Sequence, residues 1–365
     1  MCAFLQSKKG MVFMKNVGIV TICDNNYGNR LQNYAVQEII KKCGCEAITV
    51  RNTGRLNKKD GKIKYILKNV KQVSKDFTEK KDERYKCFHD FNENIQFSEK
   101  CFNWFNTKWL DKFDFFVTGS DQVWNPKFRM SELDLLAFAE PQKRISFAAS
   151  IATDSIPDNC KELFRKELKK YKVISVREDN AKTIIKQVVD RDDVEVIIDP
   201  TMLIEPEKWD KVAKKPKQLK SKKYILSYFL GNKSEKIDKE IKRIASENGC
   251  EIIDLMDKNS EYYQTGPSEF LYLEKNAFFT ITDSFHSCVF SILYDTPFIV
   301  CDRQKNNVKT MGSRIDTLLS KFKLESRKYS GEISDEMLQC NYSIAKDILE
   351  IERKKALKFI QNALI

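Results

Sequence analysis

Residues 278 to 300 constrain the fold more tightly than any other stretch of the chain. Phe278-Phe279-Thr280-Ile281 is an apolar strand, Thr282-Asp283-Ser284 is polar turn chemistry, residues 285 to 294 read as a short helix, and Pro297-Phe298-Ile299-Val300 is apolar again. Strand, turn, helix and strand in so few residues make a unit of a parallel sheet buried on both faces. His286, one of 2 histidines in the chain, falls in the first turn of that helix. The position is the carboxyl edge of the sheet, where α/β proteins bind ligands. There the helix's free amides favour an anion, and an imidazole holds or gives a proton near neutral pH. The plainer alternative is a histidine packed under a loop with both nitrogens satisfied.

At 365 residues the chain is too long for one ordinary core, so about two domains are expected. No run approaches the roughly 18 to 20 apolar residues that span a membrane, and the opening Met1-Cys2-Ala3-Phe4-Leu5 is too short for a secretory signal. A soluble, cytoplasmic protein is expected, with Met11 or Met14 closer to the functional start. The 11 cysteines include no Cys-x-x-Cys and no Cys/His cluster, which fits reduced thiols and predicts no metal site. A formal charge of +12 biases partners toward anions. The lysines of residues 51 to 86 and 214 to 223 carry much of it. Without a finger, a helix-turn-helix or an aromatic ribonucleoprotein motif, nucleic acid is not the expected anion. A phosphorylated small molecule or an anionic membrane surface accounts for the charge as well, and solvated surface faces are the plainer reading.

Several strand ends carry polar side chains. The strand 15 to 21 leads through Asp24-Asn25-Asn26-Tyr27-Gly28-Asn29 into a helix, 30 to 43, that stops at Gly44. This loop is not Gly-x-Gly-x-x-Gly, which disfavours a dinucleotide site. Asn26, Asn29 and Gln32 offer hydrogen bonds to hydroxyls, or simply cap the helix. Strand 113 to 118 ends on Gly119-Ser120-Asp121-Gln122-Val123-Trp124-Asn125, a cluster of donors and acceptors around an indole. That suits a sugar ring on an apolar plate; the alternative is a capped turn with Trp124 in the core. Ala148, Ala149 and Ser150, closing strand 144 to 150, let a backbone or ligand come close. Strand 173 to 176 delivers Arg177 to a helix start, as a fork for a carboxylate or phosphate or as a bridge to Glu178 or another acid. Asp199-Pro200-Thr201 marks the exit from the first domain, and Arg314 opens a helix beyond the 278 to 300 unit.

Taken together, Asn26-Tyr27-Gly28-Asn29-Arg30-Leu31-Gln32, Gly119 to Asn125, Ile145 to Ser150, Ser175 to Glu178, Asp199-Pro200-Thr201 and Thr282 to Ser287 resemble the polysaccharide pyruvyl transferase family. The resemblance implies a GT-B-like α/β fold of two Rossmann-like domains facing across a cleft. It divides the chain into an extension (1–15), an N-terminal domain on the acceptor side (16–200), a C-terminal domain on the donor side (201–333) and a helical segment (334–365) returning to the first domain. It implies transfer of pyruvate from phosphoenolpyruvate onto sugar hydroxyls of a cell-surface polysaccharide precursor, usually as a cyclic ketal, with phosphoenolpyruvate as co-substrate and no cofactor.

Under that resemblance His286 is the general acid and Asp121 either takes a hydroxyl proton or orients the sugar. Arg177, Asp283, Ser284, Phe285, Arg314 and Lys309 attend the donor, and Asn26, Asn29, Gln32, Ser120, Gln122, Trp124 and Asn125 attend the acceptor. Other members carry an arginine where this chain has Ser284, so Arg177, Arg314 or Lys309 must supply charge there. The acceptor is a saccharide, free or lipid-linked. The lysines at 58, 59, 62 and 64 suit a peripheral contact with an anionic membrane. A nucleotide-sugar glycosyltransferase and a non-catalytic glycan-binding protein are the competing expectations, since fold alone says little about chemistry.

Overall fold

Apolar runs too short for helices build two parallel sheets. The computed structural model describes residues 14–52, 83–128, 130–305, 308–309 and 312–365. The first unit contains β1 (Asn16–Val20), α1 (Tyr27–Lys42), β2 (Glu46–Arg51), α2 (Glu83–Phe91), β3 (Phe97–Cys101), β4 (Phe115–Thr118), β5 (Arg144–Ala149), α3 (Asp158–Leu168), β6 (Val173–Val176), α4 (Asp179–Val189) and β7 (Val194–Val196). Its strands pair in parallel in the order β3-β2-β1-β4-β5-β6-β7. The inner strands β4 and β5 are buried at every position, as strands covered by helices on both faces must be. β3 lacks the apolar signature of its neighbours, because Ser98, Glu99 and Lys100 belong to a polar edge strand.

After the short α5 (Pro206–Asp210), the second unit contains β8 (Tyr224–Tyr228), α6 (Glu235–Asn248), β9 (Glu251–Asp254), α7 (Pro267–Asn276), β10 (Phe279–Thr282), α8 (Phe285–Tyr294) and β11 (Phe298–Val300). These strands are parallel in the order β11-β10-β8-β9. A two-stranded hairpin, β12 (Gln304–Lys305) and β13 (Val308–Lys309), precedes α9 (Gly312–Phe322). The last helix, α10 (Ser343–Ala363), returns to the first unit. There Arg353 donates to the Met202 carbonyl at 2.8 Å, Lys355 to that of Val196 at 2.9 Å, and Lys172 donates to the Ala363 carbonyl at 3.0 Å.

In each sheet the chain reverses its direction of travel once, between β1 and β4 in the first and between β8 and β10 in the second. Crevices at such reversals are where open α/β sheets take ligands. The two units do not merely face each other, because one apolar core runs from Val17 and Leu31 through Trp209 to Phe270, Phe285 and Phe290. Tyr27 lies at the seam, stacked between Phe88 (centroids 5.1 Å apart) and Phe270 (4.4 Å), with its hydroxyl donating to the Thr265 carbonyl at 2.9 Å. Arg84 crosses the same seam to the carbonyls of Leu255 and Tyr263. The lysines at 58, 59, 62 and 64 lie outside the described residues. No helix among the described residues is long and apolar enough to cross a membrane.

Candidate active site

Four chain segments leaving β1, β4, β8 and β10 converge on one cavity of about 170 Å³. The first contributes Asp24, Asn26 and Asn29, the second Asp121, Gln122 and Phe128, the third Leu230, and the fourth Ser284, Phe285 and His286. Arg303, just past β11, and Arg314, in the first turn of α9, complete the lining.

His286 sits where the turn chemistry puts it. Ser284 caps α8, its hydroxyl accepting from the Ser287 amide, and Asp283 holds the facing loop by accepting from the Leu230 and Gly231 amides, each at 2.8 Å. From beneath, the hydroxyls of Ser287 and Ser291 donate to the carboxyl of Glu274, which burial pushes up to about 8. The imidazole is only 6% exposed, and its Nε2 has no hydrogen-bond partner, although it lies 3.9 Å from Asp199 Oδ2. His286 lines the cavity, and its buried Nε2 is left without a partner from the protein, which calls for an explanation. Burial lowers the histidine's pKa first; Asp199 and Asp121 pull it up, and Arg177 and Arg314 press it down, for a net lowering. The ring is therefore mostly neutral near pH 7.

Gly28 fits against the other edge of the ring. A Cβ there would stand 2.1 Å from His286 Nδ1 and 2.5 Å from Cε1, so only a glycine leaves the imidazole its place. We expect Gly28→Ala to displace the ring and lower kcat about 10²-fold, the usual cost of misplacing a reacting group by about 1 Å. Steady-state kinetics beside a thermal melt check this, since a melt that falls with activity intact would mean that the contact serves only the fold.

An ion-pair hub runs from the cavity wall at Asp121 to Asp199 behind it. Asp199 accepts from Arg177 at 2.6 Å, from the Ser120 hydroxyl at 2.7 Å, and from the Thr201 amide and hydroxyl at 3.0 and 2.6 Å. Asp121 accepts from Arg177 at 3.3 Å, from the Gln122 amide at 2.8 Å and from Asn29, and lies 3.9 Å from Arg314. The segment leaving β4 runs close against β5: a Cβ on Gly119 would come 2.3 Å from the Phe147 carbonyl, and the Ser150 amide donates to the Asp121 carbonyl at 2.9 Å. The Gly119–Ser120 peptide is cis.

Several expected roles change here. Arg177 does not line the cavity: its fork is taken up by Asp121 and Asp199, and its guanidinium stacks on the Phe285 ring at 4.2 Å. It is the bridge to acids that the sequence reading kept as an alternative, with Asp121 and Asp199 as partners. Asp121 and Arg177 also leave the same sheet, so they do not face each other across the units as donor and acceptor sides. Asp121 is a poor base, because although burial works to raise its pKa, Arg177, His286 and Arg314 hold it below the usual carboxylate range. Trp124 is no open plate for a sugar: it is fully buried, edge-on to Phe164 and Tyr171, with its indole nitrogen donating to the Asp134 carbonyl.

Gln32 and Asn125 are buried structural groups, bonded to Thr21 and Gln122 respectively, and Ser120 belongs to the hub. Asn26 both caps α1, accepting from the Gly28 amide at 2.9 Å, and lines the cavity. Asn29, Gln122, Ser284, Phe285 and Arg314 line it as well, while Asp283 works one layer back. Lys309 lies on β13, with its side chain outside the described residues.

Among the described residues, the cavity's lining cations are Arg314 and Arg303. Burial, then repulsion from Arg177, lowers the Arg314 pKa to about 9, a site that gains by receiving an anion. Arg303 went unread in the sequence; it holds Asp283 through the carboxylate at 3.3 Å and the carbonyl at 2.9 Å, beside Ser284. Its signal was its place, three residues after a strand that pairs with β10. No cluster of residues fit to hold a metal ion occurs among the described residues.

A family model of polysaccharide pyruvyl transferases matches residues 26–305, well over half of the chain. No curated protein matches it at a significant level. Among solved structures, a protein described as a UDP-N-acetylglucosamine 2-epimerase from Listeria monocytogenes superposes with a TM-score of 0.50 at 10% identity, covering 96% of this chain and 91% of that one. The UDP-GlcNAc 2-epimerase of Methanocaldococcus jannaschii in complex with UDP-GlcNAc and UDP gives a TM-score of 0.45 at 13% identity, covering 93% and 99%. At such identities the first likeness shows the fold alone: two Rossmann-like units in a GT-B-like arrangement.

Proposed function

The chain belongs to the polysaccharide pyruvyl transferase family, and from that premise we propose that it transfers pyruvate from phosphoenolpyruvate to hydroxyls of a saccharide destined for the cell surface, closing a cyclic ketal. The observation that carries this reading is the unpartnered Nε2 of buried His286, which shares one cavity with the guanidinium groups of Arg314 and Arg303. Two cations suit the donor's carboxylate and phosphate, and a single proton donor suits its alkene. Phosphoenolpyruvate serves as co-substrate, and no cofactor is required.

In the first step, His286 as imidazolium gives its proton to the methylene carbon, which becomes a methyl group, while a sugar hydroxyl forms a bond to C2. The C2–O bond to phosphate then breaks, and a second hydroxyl adds to C2. Of the two hydroxyl protons released, one returns to His286 and the other leaves with phosphate, so no net proton is consumed. Arg314 and Arg303 stabilise the charge gathering on the departing phosphate. Asp121, a weak base tied to Arg177 and Asn29, holds those groups in register and does not move the proton.

The neutral resting state of His286 fits this scheme. An arriving trianion favours the imidazolium, so donor binding charges the acid that the reaction needs. The test is phosphate release from phosphoenolpyruvate across a panel of glycan acceptors. Release that requires both donor and acceptor is expected. Tight binding of a uridine or guanosine diphosphate sugar, with no response to phosphoenolpyruvate, would overturn the reading in favour of glycosyl transfer.

A further inference from the structure

An isolated exposed apolar side chain needs no explanation, but two that converge on one polar cavity do. Phe128, 45% exposed on the segment leaving β4, and Leu230, 36% exposed on the segment leaving β8, both line the cavity that holds His286. They come from different α/β units, and neither belongs to the buried apolar clusters or packs against them. Between them the wall is polar. The Asn26 carbonyl oxygen is engaged by the Gly28 amide and that of Gln122 by Asn125, which turns the amide nitrogens of Asn26 and Gln122 to donor duty, and Asp24 adds an acceptor.

Two apolar faces with donors and an acceptor at the edge match one ligand class. A pyranose carries C–H bonds on its faces and hydroxyls around its rim, whereas a phosphate or carboxylate gains nothing from phenyl and isobutyl groups. Arg303 and Arg314 answer the charge of the anionic donor, which leaves the apolar and amide groups of the same cavity for the second substrate. We propose that Phe128 and Leu230 grip the acceptor's sugar ring at the cavity mouth, while Asp24, Asn26 and Gln122 orient its hydroxyls toward His286. Trp124 had the right chemistry for the plate but is in the core; Phe128, four residues on, is where the same loop reaches solvent. The subsite rests on the pyruvyl-transfer reading, and its test is arranged so that the two can fail separately.

The full chain is titrated with methyl glycosides of glucose, galactose, mannose and N-acetylglucosamine, followed by saturation-transfer NMR with and without phosphoenolpyruvate, whose own binding is measured by calorimetry. At least one glycoside is expected to bind, at least tenfold more weakly to Phe128→Ala and more weakly to Leu230→Ala. Phe128→Trp should retain binding, and all three variants should hold phosphoenolpyruvate within twofold of the wild type. If no glycoside binds the wild type, or Phe128→Ala binds it unchanged, the subsite is wrong. Glycoside binding that depends on Phe128 in a protein that ignores phosphoenolpyruvate would keep the subsite and remove the pyruvyl donor.

Discussion

His286→Gln is expected to fold, to bind phosphoenolpyruvate and to lose roughly 10² to 10⁴ in kcat, the range for removing a positioned general acid. Glutamine fills similar space, so the contact with Gly28 and the edge-on packing on Phe285, 5.4 Å between ring centroids, need not collapse. Because Nε2 makes no hydrogen bond in the resting site, its removal breaks none. Phosphate release near the wild-type rate would end the assignment.

The same residue makes a pH signature. Free His286 has its pKa lowered, with burial as the leading cause, so it holds little proton at neutral pH. If the donor's charges raise that pKa, the protein takes up a proton on binding at any pH between the free and bound values. Affinity then weakens as pH rises through that window. Calorimetry in two buffers of different ionisation enthalpy measures the uptake directly. The donor's phosphate also titrates near neutrality, so the decisive comparison is with His286→Gln, in which the protein's share of the uptake should vanish. Equal uptake in both proteins would show that the imidazole does not charge on binding.

What the sequence could disclose here divides along a physical line. Strand, turn and helix at 278 to 300 were legible because a buried parallel strand must be apolar throughout and a helix start must be capped, and both conditions are local. Ser284 capping α8 and His286 in its first turn follow from those conditions alone. Partners far apart in the chain were not legible. Arg177 finds Asp121 56 residues away and across β5, and nothing near it distinguishes this bridge from a substrate fork. Trp124 has the same indole in a core as on a sugar platform; the covering Phe164 and Tyr171 decide, and they come from other elements. Arg303 has no motif around it, and only the parallel pairing of β11 with β10 brings it beside Ser284. Asp199 was visible in a recognisable string but read as a domain exit, because its four hydrogen bonds come from β4, β6 and its own turn meeting at one point.

That meeting point predicts the largest effect on stability. Asp199→Ala removes the carboxylate on which Arg177, Ser120 and Thr201 converge and leaves a guanidinium only 4% exposed with one acid in place of two. Breaking a buried pair by deleting one partner costs about 3 to 5 kcal/mol, mostly because the surviving charge stays out of water. Asp199→Asn, which keeps an acceptor for the Thr201 amide, should cost less. The carboxyl lies well below its usual pKa: burial works to raise it, and Arg177, His286 and the Thr201 hydrogen bonds outweigh that. A depressed carboxylate contributes stability that is fully present above its unfolded value, about 3.9, and is lost as pH falls through the lower folded value. The gap between wild type and Asp199→Asn in chemical denaturation should therefore be widest at neutral pH and close in acid. Arg177 also pins Phe285, which packs against His286, so the asparagine variant should lose turnover even where it remains folded. If Asp199→Ala unfolds within 1 kcal/mol or so of the wild type, the two acids do not share one buried charge, and Arg177 would have to be returned to the substrate.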